Sequence, residues 1–324
     1  MNLPKLNNLD VNRKRVLLRA DLDVSLEEKY RLYSLIPTIK YLSENKAKII
    51  VIGHKGRPEG EIKKDLSLEP IGKLLESVVE DKLGEEFLKN LDMQLMENLR
   101  FNKGEEGNDM HFAEHLAGDA DVYVNDAFAA SHREHASIVH LPKLLPHAAG
   151  LRFVEEVENL EKITKDSKKP VVAILGGAKE DKLKYLNDLR KIANTVLIGG
   201  KLPEYMDENY SEKDVVVGRL IPDKEDLTIH SIENFESEIE KAGSIFLIGP
   251  MGKFEEEGHL QGTKRVFEAV AKSSAFKLAG GGDTQAAIEE FNLSDKFDWI
   301  SVGGGASLEF LAKGTLPGIK ALLN

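Results

Sequence analysis

Five times in the second half of the chain an apolar, β-branched run ends in glycine and passes into a polar, helix-forming stretch: VVAILGGAKEDKLKYL, TVLIGGKLPEYM, IFLIGPMGKFEEEG, FKLAGGGDTQAAIEEF and WISVGGGASLEFLAKG. Short apolar runs suit strands buried on both faces, and the helical spacing after them suits crossovers, so this order predicts a parallel sheet flanked by helices. Glycine permits positive φ and lets a phosphate or a flat base approach the backbone, while free N–H groups at a helix start favour an anion. Taken singly, each glycine need only make a tight strand-to-helix turn. A row of five at the carboxyl edge of one sheet, where open parallel sheets bind their ligands, points to a nucleotide. Neither G-x-x-x-x-G-K-[ST] nor a G-x-G-x-x-G opening a helix after a strand occurs, so a Walker site and a dinucleotide site are not indicated.

The first 150 residues alternate in the same way but carry different loops. The runs RVLLRADLDV, AKIIVIGHKG, MQLMENLRF and DVYVNDAFA alternate with helical patterns such as Leu68 to Val79, which predicts a second set of parallel βαβ units. Between the halves, Phe153, Val154, Val157, Leu160 and Ile163 fall at helical spacing and Pro170 marks the end, so a helix over 153–169 is expected to join the two. The expected division is 1–152, the helix 153–169, a second domain over 170–310, and a C-terminal segment, 311–324, returning to the first. A length of 324 residues and 41% hydrophobic content suffice for a core in each half. There is no cysteine, which excludes disulfides, thiolate metal sites and a cysteine nucleophile. A net charge of −11 argues against bulk nucleic-acid or membrane-surface binding. No run of membrane-spanning length occurs, and MNLPKLNNLD lacks the parts of a signal peptide, so a cytoplasmic protein is expected.

Two loop chemistries face each other in this reading. Asp283 follows the first triple glycine, where a carboxylate beside a triphosphate suits Mg²⁺, a hard ion that prefers oxygen; its alternative is a helix N-cap. Lys179, just past LGGA, suits a phosphate, because a cation on a first helical turn otherwise sits against the dipole. In the first half, Arg31, His54, Arg57, Arg100, His132, Arg133 and His135 all fall at strand ends or helix starts. Singly, each arginine suits a surface ion pair. Gathered at one edge they would repel one another unless a polyanion is held there by forked contacts. A glycine edge and a basic edge together suggest phosphoryl transfer between a nucleotide and an acidic metabolite.

In the same order and from end to end, RADLDV, GHKGRPEG, ENLRFNKGEEGND, DVYVNDAFAASHREHAS, AILGGAK, GPMGKFEEEG with QGTK, GGGDTQAAIEEF and GGGASLEFLAKGTLPG closely resemble the phosphoglycerate kinase family. The resemblance implies two Rossmann-like domains joined by a helix and hinge, and phosphoryl transfer between 1,3-bisphosphoglycerate and ADP, giving 3-phosphoglycerate and Mg-ATP. It assigns Asp21, Asp23, Arg31, His54, Arg57, Arg100 and Arg133 to the phosphoglycerate site, with Arg31 reaching the moving phosphoryl group. It assigns Gly176, Gly177 and Gly200 to the adenine turns and Glu255 to the ribose. Gly282, Asp283 and Thr284 go to the phosphates and metal, and Lys179 and Lys182 to the phosphates. Gly303, Gly304 and Gly305 match the helix start that faces the transferred group. A monomer is the family's default. No general base is needed, since the attacking carboxylate is already ionised at neutral pH.

The chain also departs from the family pattern. It is short, with segments missing between residues 80 and 95 and between 201 and 230. The two lysines of GGAKEDKL stand three apart where four is usual; Asp23 replaces an asparagine, Lys201 a third glycine, and Ile248 a common asparagine. A catalytically weak relative acting as a sensor or scaffold, and a different acyl-phosphate kinase, are the competing expectations.

Overall fold

A computed structural model describes residues 1–207 and 209–324. It divides into two compact units, Met1–Val157 with Thr315–Asn324, and Glu158–Gly314. In the first, β1 (Arg15–Ala20), β2 (Lys48–Ile52), β3 (Met93–Leu95), β4 (Val122–Asp126) and β5 (His147–Ala149) line up in the order β3-β2-β1-β4-β5. In the second, β6 (Val171–Leu175), β7 (Thr195–Ile198), β8 (Val215–Val217), β9 (Ser244–Ile248), β10 (Phe276–Gly280) and β11 (Trp299–Ser301) take the order β11-β10-β9-β6-β7-β8. All strand pairs in both sheets are parallel. The predicted α/β class, two parallel sheets flanked by helices, is the one observed.

Successive residues of a strand point to opposite faces, and each sheet buries both. Val16, Leu18 and Ala20 of β1 join Ile49, Val51, Val122 and Val124 on one face, under Leu32, Leu35 and Ile39 of the helix Tyr30–Glu44 and Ile71, Leu75 and Val79 of the helix Glu69–Leu83. Leu17, Ile52 and Tyr123 lie on the other face. In the second unit, Val172, Ile174, Leu197, Ile245 and Leu247 pack with Phe235 and Ile239 of the helix Ile229–Glu240 and Val266, Phe267 and Val270 of the helix Gln261–Lys272.

The connecting helix runs over Leu151–Thr164, and its expected apolar residues Phe153, Val154, Val157, Leu160 and Ile163 are buried. Its start is fixed from within the first unit: the Thr38 hydroxyl accepts from Leu151 N at 3.0 Å, and Asp126 at the end of β4 accepts from Phe153 N at 2.9 Å. The division between the two units falls inside this helix, between Val157 and Glu158. In the C-terminal helix Pro317–Leu323, Gly318 N donates to Ser131 O at 2.9 Å and the Leu322 carbonyl accepts from His147 at 3.2 Å. No helix among the described residues is long and apolar enough to cross a membrane.

Strand order reverses between β1 and β4 in one sheet and between β6 and β9 in the other. At such a switch point the connections leave in opposite directions and open a crevice beyond the strand ends. The residues at those two places are Ala20-Asp21 with Asp126-Ala127, and Leu175-Gly176 with Ile248-Gly249.

Candidate active site

At the first switch point the chain gathers arginines and histidines together with a few carboxylates. Asp21 bridges the two strand ends, with one oxygen accepting from Ala129 N at 2.7 Å and the other from Ala130 N at 3.1 Å. Burial pushes its carboxyl up, partly opposed by Arg31 and by those two amides. Asp21 therefore shapes the loop after β4. Asp23 accepts from Gly56 N at 2.9 Å and ties the loop after β1 to the loop after β2. Its carbonyl accepts from the Arg31 guanidinium at 2.7 Å, and Arg31 lies 3.6 Å from Glu28, so this arginine is held at the start of the helix Tyr30–Glu44.

Beneath these loops lies Arg19, in β1, fully buried. It donates to Ala20 O at 2.6 Å, to Ser137 Oγ at 3.0 Å and to His54 Nδ1 at 2.8 Å. Burial first, then Arg19 and Arg100, hold His54 well below the ordinary histidine range. The His135 ring stands edge-on to it at 6.2 Å, and burial with Arg100 and Arg19 pushes that imidazole down to about 3. Both rings are uncharged at neutral pH. Arg133 donates to His132 Nε2 at 3.3 Å. Burial lowers the Arg133 guanidinium, and the charge of the exposed Arg57 lowers it further.

Arg100 is the most telling of the group. It is 1% exposed, donates to Gly56 O at 2.5 Å and lies 3.3 Å from Glu106, yet its Nε and Nη2 have no hydrogen-bond partner. Burial and then Arg133 lower its guanidinium to about 10. Its backbone is fixed by Asn98, whose side chain accepts from Arg100 N and donates to Lys55 O and Leu66 O. A buried cation with orphaned donors among other cations is unfavourable until an anion meets it.

The second switch point is made of backbone. Gly176 N donates to Ile248 O, Gly177 N to Pro250 O, Gly200 N to Met251 O and Gly249 N to the Thr284 hydroxyl at 2.7 Å. The turns touch: a Cβ on Gly249, where φ is +100°, would lie 2.2 Å from Gly176 O. A Cβ on Gly304 would lie 2.7 Å from Gly281 Cα, which explains why one glycine of each triplet faces one of the other. These glycines serve mutual packing of the strand-end turns as well as any ligand.

Side chains around that edge are few. Lys179 is exposed, directly before the 3₁₀ turn Glu180–Tyr185 and outside any α-helical first turn. Lys182 donates to Gly176 O at 2.6 Å; burial, opposed by Asp283, pushes its ammonium down to about 8. The N-cap alternative for Asp283 is overturned. Gly281 holds the cap position of the helix Gly282–Glu290, and Asp283 is an exposed residue of its first turn. Gly303 caps the helix Gly304–Lys313, whose first N–H groups belong to Gly304 and Gly305. Glu255 is exposed in the turn after β9, and Lys201 pairs with Glu225 at 2.9 Å. Among the described residues no group of three or more histidine or acidic side chains could hold a metal by itself. Mg²⁺ characteristically takes one or two carboxylates and completes its shell with phosphates and water, so a lone exposed Asp283 fits that ion.

Sequence reasoning missed Arg19, Glu105 and Ser137. Glu105 is fully buried, accepts from Ser137 N at 3.0 Å and from the Ser137 hydroxyl at 2.6 Å, and lies 3.8 Å from Arg19. An arginine inside the apolar run VLLRA was the available signal for Arg19; nothing in NKGEEG distinguished Glu105 from a solvated glutamate.

Known proteins carry the same pattern. A sequence model of the family described as phosphoglycerate kinase matches residues 6–207 and 207–314, the two pieces meeting inside the stretch expected to be shortened. The phosphoglycerate kinase of Moorella thermoacetica is 37% identical over 385 aligned residues, covering 98% of both chains, and that of Finegoldia magna is 35% identical over 392, covering 99% of both. Both alignments are longer than the 324 residues of this chain, so they close only with gaps inside it. The phosphoglycerate kinase structure from Coxiella burnetii superposes with a TM-score of 0.81 at 30% identity over 99% of both chains. That from Pyrococcus horikoshii OT3 gives 0.83 at 27% identity, over 99% of this chain and 98% of the other. With a buried cationic edge in one unit, a glycine edge in the other and relatives matched from end to end, the chain belongs to the phosphoglycerate kinase family.

Proposed function

We propose that this chain is an active phosphoglycerate kinase, transferring a phosphoryl group between 1,3-bisphosphoglycerate and ADP to give 3-phosphoglycerate and ATP. The observation that carries this reading is Arg100, buried beside Arg133, Arg19 and two uncharged histidines, with no hydrogen bond on Nη2 and only a 3.3 Å ion pair to the exposed Glu106 on Nε. Such an arrangement is unfavourable on its own and favours a compact polyanion as ligand. The N-terminal unit binds phosphoglycerate through His54, Arg57, Arg100 and Arg133, while Asp21 and Asp23 hold the loops that carry them. Arg31 meets the transferred phosphoryl group. The C-terminal unit binds the nucleotide along Gly176, Gly177 and Gly200, with Glu255 at the ribose and Lys179 and Lys182 at the phosphates. Asp283 holds Mg²⁺, which neutralises phosphate charge when bound, and Thr284 contributes its remaining hydroxyl proton to the phosphates. The N–H groups of Gly304 and Gly305 stabilise charge on the moving group. A cytoplasmic monomer is the corresponding physiological form.

A coupled assay with 3-phosphoglycerate and Mg-ATP tests the reading. Arg31→Ala should lower kcat by orders of magnitude with a modest change in either KM, because it acts on the transition state. Asp283→Ala should raise the Mg²⁺ and nucleotide concentrations needed for activity. Absence of turnover in the wild type, with both ligands bound, would favour the weak relative.

A further inference from the structure

The buried side of the phosphoglycerate edge contains a directed chain of hydrogen bonds that the reaction does not use. A guanidinium can only donate, so the 2.8 Å contact of Arg19 with His54 makes Nδ1 of that ring the acceptor. An uncharged imidazole whose Nδ1 accepts must carry its proton on Nε2, which lies toward Asp23 at 4.0 Å. Arg19 is held in turn. Its Nε donates to Ser137 Oγ at 3.0 Å, and the Ser137 hydroxyl spends its own proton on Glu105 Oε1 at 2.6 Å. Glu105 Oε2 accepts from Ser137 N at 3.0 Å, so both carboxylate oxygens are engaged by one residue. Its charge stands 3.8 Å from Arg19 and 3.7 Å from His135. The Ser137 carbonyl accepts from the buried Tyr123 hydroxyl at 2.8 Å, fixing this residue from a third side.

We propose that Glu105, Ser137 and Arg19 are positioning residues that hold His54 with its Nδ1 lone pair inward and its Nε2–H outward, as a donor to the phosphoglycerate. The inference rests on the assignment of His54 to the phosphoglycerate site. Arg19, Ser137 and Glu105 are engaged with one another, with Ala20 O and with His54, so the effect passes through the ring. Four cations already supply charge at this edge; a neutral donor of fixed tautomer supplies direction. Glutamine at position 105 keeps the shape of Glu105 but has only one acceptor oxygen for the two Ser137 donors, so it breaks the chain without opening a cavity.

The test uses the full-length protein labelled with ¹⁵N in its histidines. Long-range proton–nitrogen spectra at neutral pH, with the ring assigned by its loss in His54→Gln, should show His54 protonated on Nε2 alone. In Ser137→Ala and Glu105→Gln the ring should lose that single tautomer. The KM for 3-phosphoglycerate should rise about tenfold, the equivalent of one weakened charge-assisted contact, with the KM for Mg-ATP unchanged. Glu105→Asp, which keeps two acceptor oxygens, should recover part of the loss. A wild-type ring protonated on Nδ1 overturns the proposal, as does Ser137→Ala with an unaltered ring and KM. If Glu105→Gln does not fold, Ser137→Ala decides alone. A wild type with the expected ring that binds no 3-phosphoglycerate refutes the substrate assignment and, with it, the role of the chain, while its geometry stands.

Discussion

Replacing Arg100 with methionine separates the stability of the ligand-free protein from its affinity for substrate. The fall of the guanidinium from 12.5 to about 10 is worth about 3 kcal/mol against the charged form in the folded state. Because the folded value lies below the unfolded one for a base, this loss is fully present at every pH below about 10. Methionine removes that penalty and the two orphaned donors, Nε and Nη2. It also removes the hydrogen bond to Gly56 O, worth about 1.5–3 kcal/mol for a charged donor. The opposing effects nearly cancel, so ligand-free stability in urea should change by less than about 1–2 kcal/mol. Binding should suffer far more. Withdrawing two charge-assisted hydrogen bonds from a bound anion costs about 3–6 kcal/mol, or two to four orders of magnitude in Kd for 3-phosphoglycerate by calorimetry. Arg100→Lys should recover little, since the fork is gone. A methionine variant that loses more than about 3 kcal/mol without ligand, yet binds 3-phosphoglycerate normally, would refute the reasoning and make Arg100 structural.

Burial, followed in smaller measure by the charge of Asp21, raises the Asp126 carboxyl to about 7, above its unfolded value of 3.8. Its contribution is therefore complete below pH 4 and lost as pH rises through 7, so Asp126→Asn should gain stability relative to wild type across that window, by up to about 4 kcal/mol in urea titrations. A flat difference would contradict the assignment. If Lys182, near 8 without ligand, meets the nucleotide phosphates, binding should take up a proton between about pH 8 and 10, visible as a buffer-dependent heat that vanishes in Lys182→Met. Gly249→Ala should destabilise strongly and abolish nucleotide binding, whereas Gly258→Ala, with a similar φ of +99° but nothing within 4 Å, should show only left-handed strain of about 1–2 kcal/mol. Equal losses at the two positions, measured by thermal unfolding, would remove close turn packing as the cause.

The fold was legible wherever burial leaves a periodic trace. The runs at Val171–Leu175 and Ser244–Ile248 are buried at every position, and the connecting helix buries the apolar residues that its spacing singled out. Less visible were β5 and β8, edge strands of three residues each in HAA and VVV, too short to show a period against neighbouring loops. The glycine turns were legible as turns. That Gly249 meets Gly176 and Gly304 meets Gly281 was not, because those pairs lie far apart in sequence and their contact is set by strand order.

Charge at the site was hidden for a related reason. With 55 acidic against 44 basic side chains, the chain as a whole repels anions, and the field that would attract phosphoglycerate comes from a handful of arginines, of which Arg19 and Arg100 are buried. Burial strengthens the charges of Arg19 and Arg100 and also makes each more unfavourable, so the edge needs a counter-charge deep enough to hold Arg19. Glu105 occupies that position. It lies 3.8 Å from Arg19, with both oxygens taken by Ser137, whereas the outer side of the cluster carries the exposed Asp23 and Glu106. Arg100 has its own carboxylate, the exposed Glu106 at 3.3 Å, so a surface glutamate serves Arg100 but would leave Arg19 unsupported. Folding places Glu105 from Asn102-Lys103-Gly104 under β1, eighty-odd positions from Arg19 in the chain, and no reading of local pattern can assign such a residue to the inside of a cationic site.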